Sequence, residues 1–304
     1  MNHLPTTKQL RYFVALEKIG HFGKAADVCF VSQPAFSVAI RELESTLNIQ
    51  LVDRTNKNVT ITSLGREIAV QARQVLRNLE ELVELAQGNQ QPLTGQLKLG
   101  VIPTIAPFLL PRLLPVLRKT YPDLKLQLKE DLTERVYSKL MDGELDIILI
   151  ALPYELRNVS EMHLFNDHFF LAHQIKSRFI DPKHHKVSDL PKDSILLLED
   201  GHCMRDHALS ACSIKNADKV SNITATSLLT LVQMVDADLG VTYLPEMSIG
   251  TALLKSTRIK TTAMDKSSFR EIGLVWRKAS TRQEEFKLLG KFIQEQFKPE
   301  YKPG

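Results

Sequence analysis

The chain has 304 residues, 39 Lys and Arg against 35 Asp and Glu, and a formal net charge of +4 at neutral pH. That length allows two or more domains, and three cysteines, an odd number in a long chain, do not make a secreted disulfide framework. No run of eighteen apolar residues exists and the first residues lack a hydrophobic signal core, so we expect a cytoplasmic protein with no membrane contact.

In chain order, a first helix is expected over Thr7–Lys18, with Leu10, Phe13 and Val14 as its apolar stripe, and a short second helix over Phe22–Cys29. Cys29 falls among apolar neighbours and reads as packing. Ser32 can cap a third helix, Pro34 fits its first turn, and Phe36, Ile40, Leu43 and Leu47 share one face. The opposite face carries Pro34, Ser37, Val38, Arg41 and Ser45. Two tightly joined helices, the second presenting small polar groups and an arginine outward, are the pattern of a helix-turn-helix DNA reader. Gln33 and Ser37 would then reach base edges and Arg41 a base or phosphate, although any three-helix domain with a solvated face looks similar.

Residues 51–62 read as a hairpin wing, whose Arg54, Thr55 and Lys57 suit phosphate or minor-groove contact. The excess of eight basic over five acidic side chains in residues 1–66 agrees with a nucleic-acid partner. From Ser63 to Gln87 one long helix repeats Ile68, Val75 and Leu82 every seven residues, with Ala72, Leu79 and Ala86 at the fourth position after each. That is the seam of a coiled-coil dimer. Residues 88–95 break all periodicity and serve as a linker.

Beyond the linker, strands and helices alternate: strand 96–101, helix 104–121, strand 124–130, helix 133–141, strand 145–152. A second set comprises strands 169–172 and 195–198, a helix from Cys203, strand 223–225, helix 228–235 and strand 241–244. The chain closes with strand 271–276 and an amphipathic helix over 282–297. This order predicts a mainly parallel sheet covered by helices, in two α/β lobes flanking a ligand cleft.

The stretch Leu197–Cys212 holds two of the three cysteines. A turn at Asp200-Gly201 leads into a helix that starts at Cys203, so the first sulfur is expected in a helix's first turn, beside His202 and Arg205. The helix dipole and these neighbours would lower its pKa below the usual value of about 8.5 and favour the thiolate. Nine residues of helix rise about 13 Å, whereas a disulfide needs Cα atoms within about 7 Å. If Cys203 and Cys212 ever join, the segment between them must unwind. The plain alternative is two unrelated thiols packed as small apolar groups.

Val31-Ser32-Gln33-Pro34-Ala35-Phe36-Ser37, with Ala25-Ala26, resembles the winged helix-turn-helix of LysR-type transcriptional regulators. Gly100–Thr104, Leu198–Asp206 with Cys212, and Ala225-Thr226-Ser227 resemble the OxyR-type hydrogen peroxide sensors within that family. The resemblance covers essentially the whole chain. It implies an α/β architecture: a winged helix-turn-helix (residues 1–62), a linker helix and hinge for dimerisation (63–91), and a two-lobed regulatory domain resembling periplasmic binding proteins (92–304). It makes Cys203 the peroxidatic thiol and Cys212 its resolving partner, with Thr104, Thr133, His202, Arg205, Asp206 and Arg270 around the peroxide pocket. Ser32, Gln33, Pro34, Ser37, Arg41, Arg54, Thr55 and Lys57 would face DNA. The implied partners are double-stranded promoter DNA, a homodimer or homotetramer, RNA polymerase, thiol reductants of the glutaredoxin or thioredoxin type, and hydrogen peroxide as signal. No cofactor and no enzymatic activity is implied.

Three other readings use the same residues. A metabolite-sensing LysR-type regulator would bind a small acid in the inter-lobe cleft. A metal or haem sensor could draw on His202, Cys203, His207 and Cys212, although their spacing fits no zinc pattern. A thiol peroxidase would leave the DNA-binding half idle. His184-His185 read as solvated loop residues.

Overall fold

The computed structural model describes residues 4–55, 58–86, 92–180, 190–212, 214 and 217–297. The chain divides into two compact units, one formed by Met1–Gln90 with Met141–Glu144, the other by Gln91–Leu140 with Leu145–Gly304.

The first unit begins with α1 (Thr7–Ile19), opened by a capping box in which Thr6 and Gln9 satisfy each other's backbone N–H groups and closed by Gly20 at φ 67°. Helix α2 (Phe22–Val28) and α3 (Gln33–Leu47) follow, the latter capped by Ser32 with Pro34 in its first turn. Phe36, Ile40 and Leu43 are fully buried against Phe13, Leu16, Ala25 and Ala26, and Tyr12 stacks on Phe36 with centroids 5.0 Å apart. Ala25 and Ala26 carry only methyl groups, which is what lets α2 lie so close to α3.

Glu44 of α3 accepts the N–H groups of Leu51 and Val52 at 2.9 and 3.1 Å, fixing where the hairpin of β1 (Val52–Thr55) and β2 (Asn58–Ile61) leaves the helices. Helix α4 (Ser63–Ala86) then starts. The heptad expectation needs one correction here: Ala72, assigned to the dimer seam, is 2 % exposed and packs in the core of its own unit with Ala69. Val75, Leu79 and Leu82 remain exposed, so only the second half of the repeat presents an unpartnered apolar stripe.

The second unit is built on strands β3 (Gly95–Val101), β4 (Leu124–Glu130), β5 (Ile147–Leu152), β6 (Val159–Gln174), β7 (Ile195–Leu198), β8 (Val220–Ala225), β9 (Thr242–Pro245), β10 (Ile259–Ala263) and β11 (Phe269–Arg277). Its helices are α5 (Ala106–Thr120), α6 (Thr133–Met141), α7 (Cys203–Ala211), α8 (Leu228–Asp236) and α9 (Gln283–Gln296). The main sheet runs β10-β6-β11-β5-β3-β4, with β9 also paired to β6. A mainly parallel sheet was expected, and this is corrected: among the described residues β3·β4 and β3·β5 are parallel while the four other pairings are antiparallel. Strand β11 returns from late in the chain and inserts antiparallel between β5 and β6, and β9 and β10 also pair antiparallel to β6.

Two further differences concern β6 and β10. Apolar content marks only the last part of β6, because its first five residues include the polar Ser160, Glu161 and His163 and none of the five is fully buried. Strand β10 (Ile-Lys-Thr-Thr-Ala) carries too little apolar surface to stand out.

The unit holds two hydrophobic cores. One gathers Leu97, Leu99, Val101, all of Ile147–Leu152, Trp276, Phe286 and Ile293; the other gathers Phe169, Leu171, Ile195–Leu198, Met204, Ala208, Val232, Tyr243 and Leu244. Strand β6 serves both, with Leu164 and Phe165 in the first and Phe169 and Leu171 in the second. In the second core β7 lies parallel to β8 and bridges Val241 through Ile195. Gly240 permits that approach, since a Cβ there would sit 2.5 Å from the Ser194 carbonyl oxygen and 2.8 Å from Leu196 Cγ. Gly240→Ala is therefore expected to lower unfolding stability by about 1–3 kcal/mol, measured by urea denaturation, with backbone rather than side chain forced to move.

Candidate functional site

The candidate site assembles at the ends of β3 and β5, beside the middle of β6 and the start of β11, near the first turn of α7. Ala225 accepts the Glu199 N–H, and the chain turns at Gly201 (φ 94°), so that His202 becomes the N-cap of α7 and Cys203 its first residue. The expected position of the first sulfur is thus observed. Cys203 belongs to the first core and is 7 % exposed. Cys212 caps the far end of the same helix, belongs to the second core and is 4 % exposed; both thiols are free.

A small cleft of about 160 Å³, counting solvent at its mouth, is lined by Ile102, Pro103, Thr104, Leu132, Thr133, Gly201, His202 and Cys203. Thr104 and Thr133 are each 2 % exposed, and the Thr133 hydroxyl hydrogen-bonds the Cys203 sulfur. The Thr104 oxygen atoms accept from Arg270, Oγ1 from Nη1 at 2.8 Å and the carbonyl from Nη2 at 3.0 Å. Accepting there leaves the Thr104 hydroxyl hydrogen to be donated into the cleft.

Arg270 is itself fully buried and held by Asp167, whose Oδ2 accepts from Nε at 2.9 Å and lies 2.9 Å from Nη2. The two are direct cross-strand partners of β11 and β6, and Asp167 Oδ1 also accepts the Met247 N–H at 3.0 Å. Burial pushes the Asp167 carboxyl upward, against the pull of Arg270 and the Met247 amide.

Of the predicted pocket residues, Thr104, Thr133, His202 and Cys203 meet at one cleft and Arg270 backs them. Arg205 does not join them: its Nε pairs with Asp200 at 3.0 Å and its Nη1 donates to the Leu198 carbonyl, so it braces the turn before the helix. Asp206 is exposed and acts on Cys203 through its charge, opposing the thiolate. The expected low thiol pKa is corrected. Burial pushes the Cys203 thiol up, and the Thr133 hydrogen bond and the Arg270 charge only partly offset that. The first turn of α7 supplies a favourable dipole, yet Arg205 spends its charge on Asp200 and Arg270 spends much of its charge on Asp167.

Cys212 is pushed up to about 12 by burial alone. His202 and His207 are both held low, each chiefly by burial. The four-ligand metal reading loses its geometry, since Cys203 and Cys212 lie at opposite helix ends in different cores; among the described residues no group of three His, Cys, Asp or Glu is disposed to hold an ion. Sequence reasoning missed Asp167, and it weighed His207 only as a metal ligand. An acid inside the apolar run of β6 was the available signal for Asp167.

On the DNA side, Ser32, Gln33, Pro34 and Arg41 are exposed and Ser37 is half-buried along one face of α3; the Arg41 guanidinium reaches the Ser37 carbonyl at 3.4 Å. Arg54 and Thr55 end β1, but their side chains, and Lys57 altogether, lie outside the described residues, as do residues 88–91 of the linker and His184-His185.

Residues 7–66 match the bacterial regulatory helix-turn-helix protein of the lysR family, and residues 90–298 match the LysR substrate binding domain. The chain belongs to the LysR family. This LysR-family chain is 38 % identical over 296 residues to the HTH-type transcriptional regulator EstR of Acinetobacter baylyi, covering 95 % of this chain and 96 % of that protein. It is 36 % identical over 286 residues to the DNA-binding transcriptional dual regulator OxyR of Escherichia coli, covering 94 % of each. A full-length OxyR cysteine-to-aspartate variant from Pseudomonas aeruginosa superposes with a TM-score of 0.80 at 33 % identity, covering 96 % of this chain and 95 % of that one. A hydrogen-peroxide-bound cysteine-to-serine variant of Corynebacterium glutamicum OxyR gives 0.65 at 34 % identity, with 98 % and 94 % covered. The fold is therefore that of a LysR-type, OxyR-like regulator, with a helix-turn-helix unit and an α/β regulatory unit. No helix among the described residues is long and apolar enough to cross a membrane.

Two outcomes follow for this LysR-family chain. Asp167→Ala would leave the Arg270 guanidinium buried without its counter-charge, and is expected to cost about 3–5 kcal/mol in urea unfolding. The folded state also holds the Cys212 proton more tightly than the unfolded chain does. That contribution to stability is full below an ordinary thiol pKa near 9.0 and is lost as pH rises toward about 12. Melting temperatures followed from pH 8 to 11 should fall, and Cys212→Ala should flatten part of that fall.

Proposed function

We propose that this LysR-type regulator senses hydrogen peroxide through Cys203 and responds by forming a Cys203–Cys212 disulfide. The observation that carries the reading is one helix with a free thiol at each end, each thiol buried in a different core and the first opening onto a cleft of two hydroxyls and an imidazole. The similarity to OxyR proteins, one of them in a peroxide-bound form, favours peroxide over the metabolite-sensing alternative.

The chemistry runs in two steps. The Cys203 sulfur attacks one peroxide oxygen, the O–O bond breaks, and the departing hydroxide takes up the thiol proton as water, leaving a sulfenic acid. Cys212 then attacks that sulfur and expels a second water as the disulfide forms. Thr104 and Thr133 position the peroxide oxygens, His202 and Asp206 border the reacting sulfur, and Arg270 contributes fixed positive charge.

About 13 Å of helical rise separates the two ends, so the second step requires α7 to unwind and to withdraw Met204, Ala208 and Cys212 from the second core. Repacking of that core is what the DNA-binding unit would read, through altered spacing of paired heads. In this reading Ser32, Gln33, Pro34, Ser37 and Arg41 of α3, with Arg54, Thr55 and Lys57 of the wing, contact promoter DNA. The exposed stripe of α4 joins two copies, which pair again as a tetramer. RNA polymerase receives the signal, glutaredoxin- or thioredoxin-type reductants reset it in the cytoplasm, and antioxidant genes are its targets.

The test maps thiols by mass spectrometry in the full-length protein before and after stoichiometric peroxide. The unsubstituted chain should yield a Cys203–Cys212 cross-linked peptide, and Cys212→Ser should accumulate a trappable sulfenic acid at Cys203. Cys203→Ser should do neither while still binding DNA. A peroxide response that survives in Cys203→Ser would refute the proposal.

A further inference from the structure

We propose that His207 is the proton acceptor for Cys203, a positioning residue that holds the thiol's proton during attack on peroxide and returns it to the leaving oxygen. The inference rests on the reading of Cys203 as the peroxide target and adds the group that makes a buried thiol reactive.

The argument begins with the ring's two nitrogens. His207 Nε2 lies 3.0 Å from the Pro153 carbonyl oxygen. A carbonyl only accepts, so Nε2 carries the hydrogen and the neutral ring keeps its basic lone pair on Nδ1. Nδ1 is buried and has no hydrogen-bond partner among the described residues. A backbone acceptor thus fixes the tautomer and orientation of an imidazole whose basic nitrogen is unused, the relation a third group has to the base in a catalytic triad.

Placement comes next. Cys203 and His207 are four residues apart on α7, so they share a face with Cβ atoms about 5–6 Å apart. Both reach the same neighbour: the Cys203 sulfur meets the backbone of Ala151, and the imidazole meets that of Pro153 two residues on. Thiol and imidazole therefore share one face of α7 against the end of β5 with no direct hydrogen bond between them, so a proton relay between the two runs through one water.

The surrounding charges fit the assignment. Asp206 on α7 and Arg270 on β11 are the charged groups that act on His207, in opposite senses, and burial outweighs both and keeps the ring neutral near pH 7. Tyr154, which follows Pro153, is within electrostatic reach of Cys203 and Asp206, but burial pushes its phenol up, so it cannot take a proton. His202 lines the cleft and its ring is likewise bonded to backbone, that of Thr226, but it sits before the helix rather than along the face that Cys203 and His207 share. In the balanced step the thiol proton passes to Nδ1, the sulfur pair attacks one oxygen, the O–O bond breaks, and the imidazolium gives its proton to the leaving hydroxide. Sulfur is oxidised to sulfenic acid, peroxide is reduced to water, and His207 ends as it began.

The experiment measures how fast hydrogen peroxide consumes the Cys203 thiol in the full-length protein, by quenching with an alkylating agent, from pH 5 to 9.5. The unsubstituted chain should show a rate that rises through a histidine titration below about 6.5 and then stays level toward pH 8.5. His207→Gln keeps an amide donor for Pro153 but no basic nitrogen. It should react about a hundredfold slower at pH 7 and climb about tenfold per pH unit, as a thiol with no base would. An unchanged rate and profile in His207→Gln overturns the proposal and leaves the peroxide reading intact. Loss of the acidic limb only in His202→Gln overturns it too, as does an unsubstituted profile with no acidic limb, which decides the matter even if His207→Gln fails to fold. If peroxide never consumes Cys203, the function proposed above fails with it.

Discussion

Helix α7 is anchored at its two ends in different hydrophobic cores, and the behaviour proposed for the molecule depends on that division. Cys203 packs with the strands of the first core, whereas Met204, Ala208 and Cys212 pack with the second. A helix of nine residues is too short to be stable on its own in water, so it persists only because both cores hold it. Drawing its ends together sacrifices the packing of its far half. A covalent bond between the sulfurs is strong enough to compel that exchange.

Behind the first anchor stands the buried pair of Arg270 and Asp167. Its position is dictated by strand register, since the two residues face one another across β11 and β6 at the point where β6 passes from one core to the next. The guanidinium spans to both oxygens of Thr104 and so ties the loop after β3 to the sheet. This rigid support is needed because the site's polar groups are almost wholly dehydrated, where a displaced donor costs more than it would at the surface.

Much of this was legible in the sequence because strong patterns coincided with regular elements. The stripe Phe36, Ile40, Leu43 and the cap at Ser32 mark α3, and the alternation from residue 96 to 152 marks the β-α-β-α-β run. The turn at Asp200-Gly201 before a helix-compatible run from Cys203 pointed to α7. What failed was everything set by distant partners. The direction of β11 cannot be read from its own residues, and the polar half of β6 carries no strand signal until β11 lies beside it. Ala72 fits a heptad equally well whether it faces a second chain or its own core. The thiol's pKa was misjudged for the same reason: the local sequence shows a helix start, an arginine and a histidine, but not the burial or the aspartates that occupy the arginines.

The arrangement of β6 bears on what would follow if α7 came apart as proposed. None of the sheet ladders runs through α7; the helix only leans on them, while β6, β9, β10 and β11 hydrogen-bond to one another without it. Its collapse therefore severs side-chain packing and leaves the framework of the regulatory unit standing, much as a fuse parts without harm to the wiring. Under the proposed switch the scaffold would retain the mould into which the segment settles again once the sulfurs are released, so the protein would serve repeatedly rather than be consumed by each exposure.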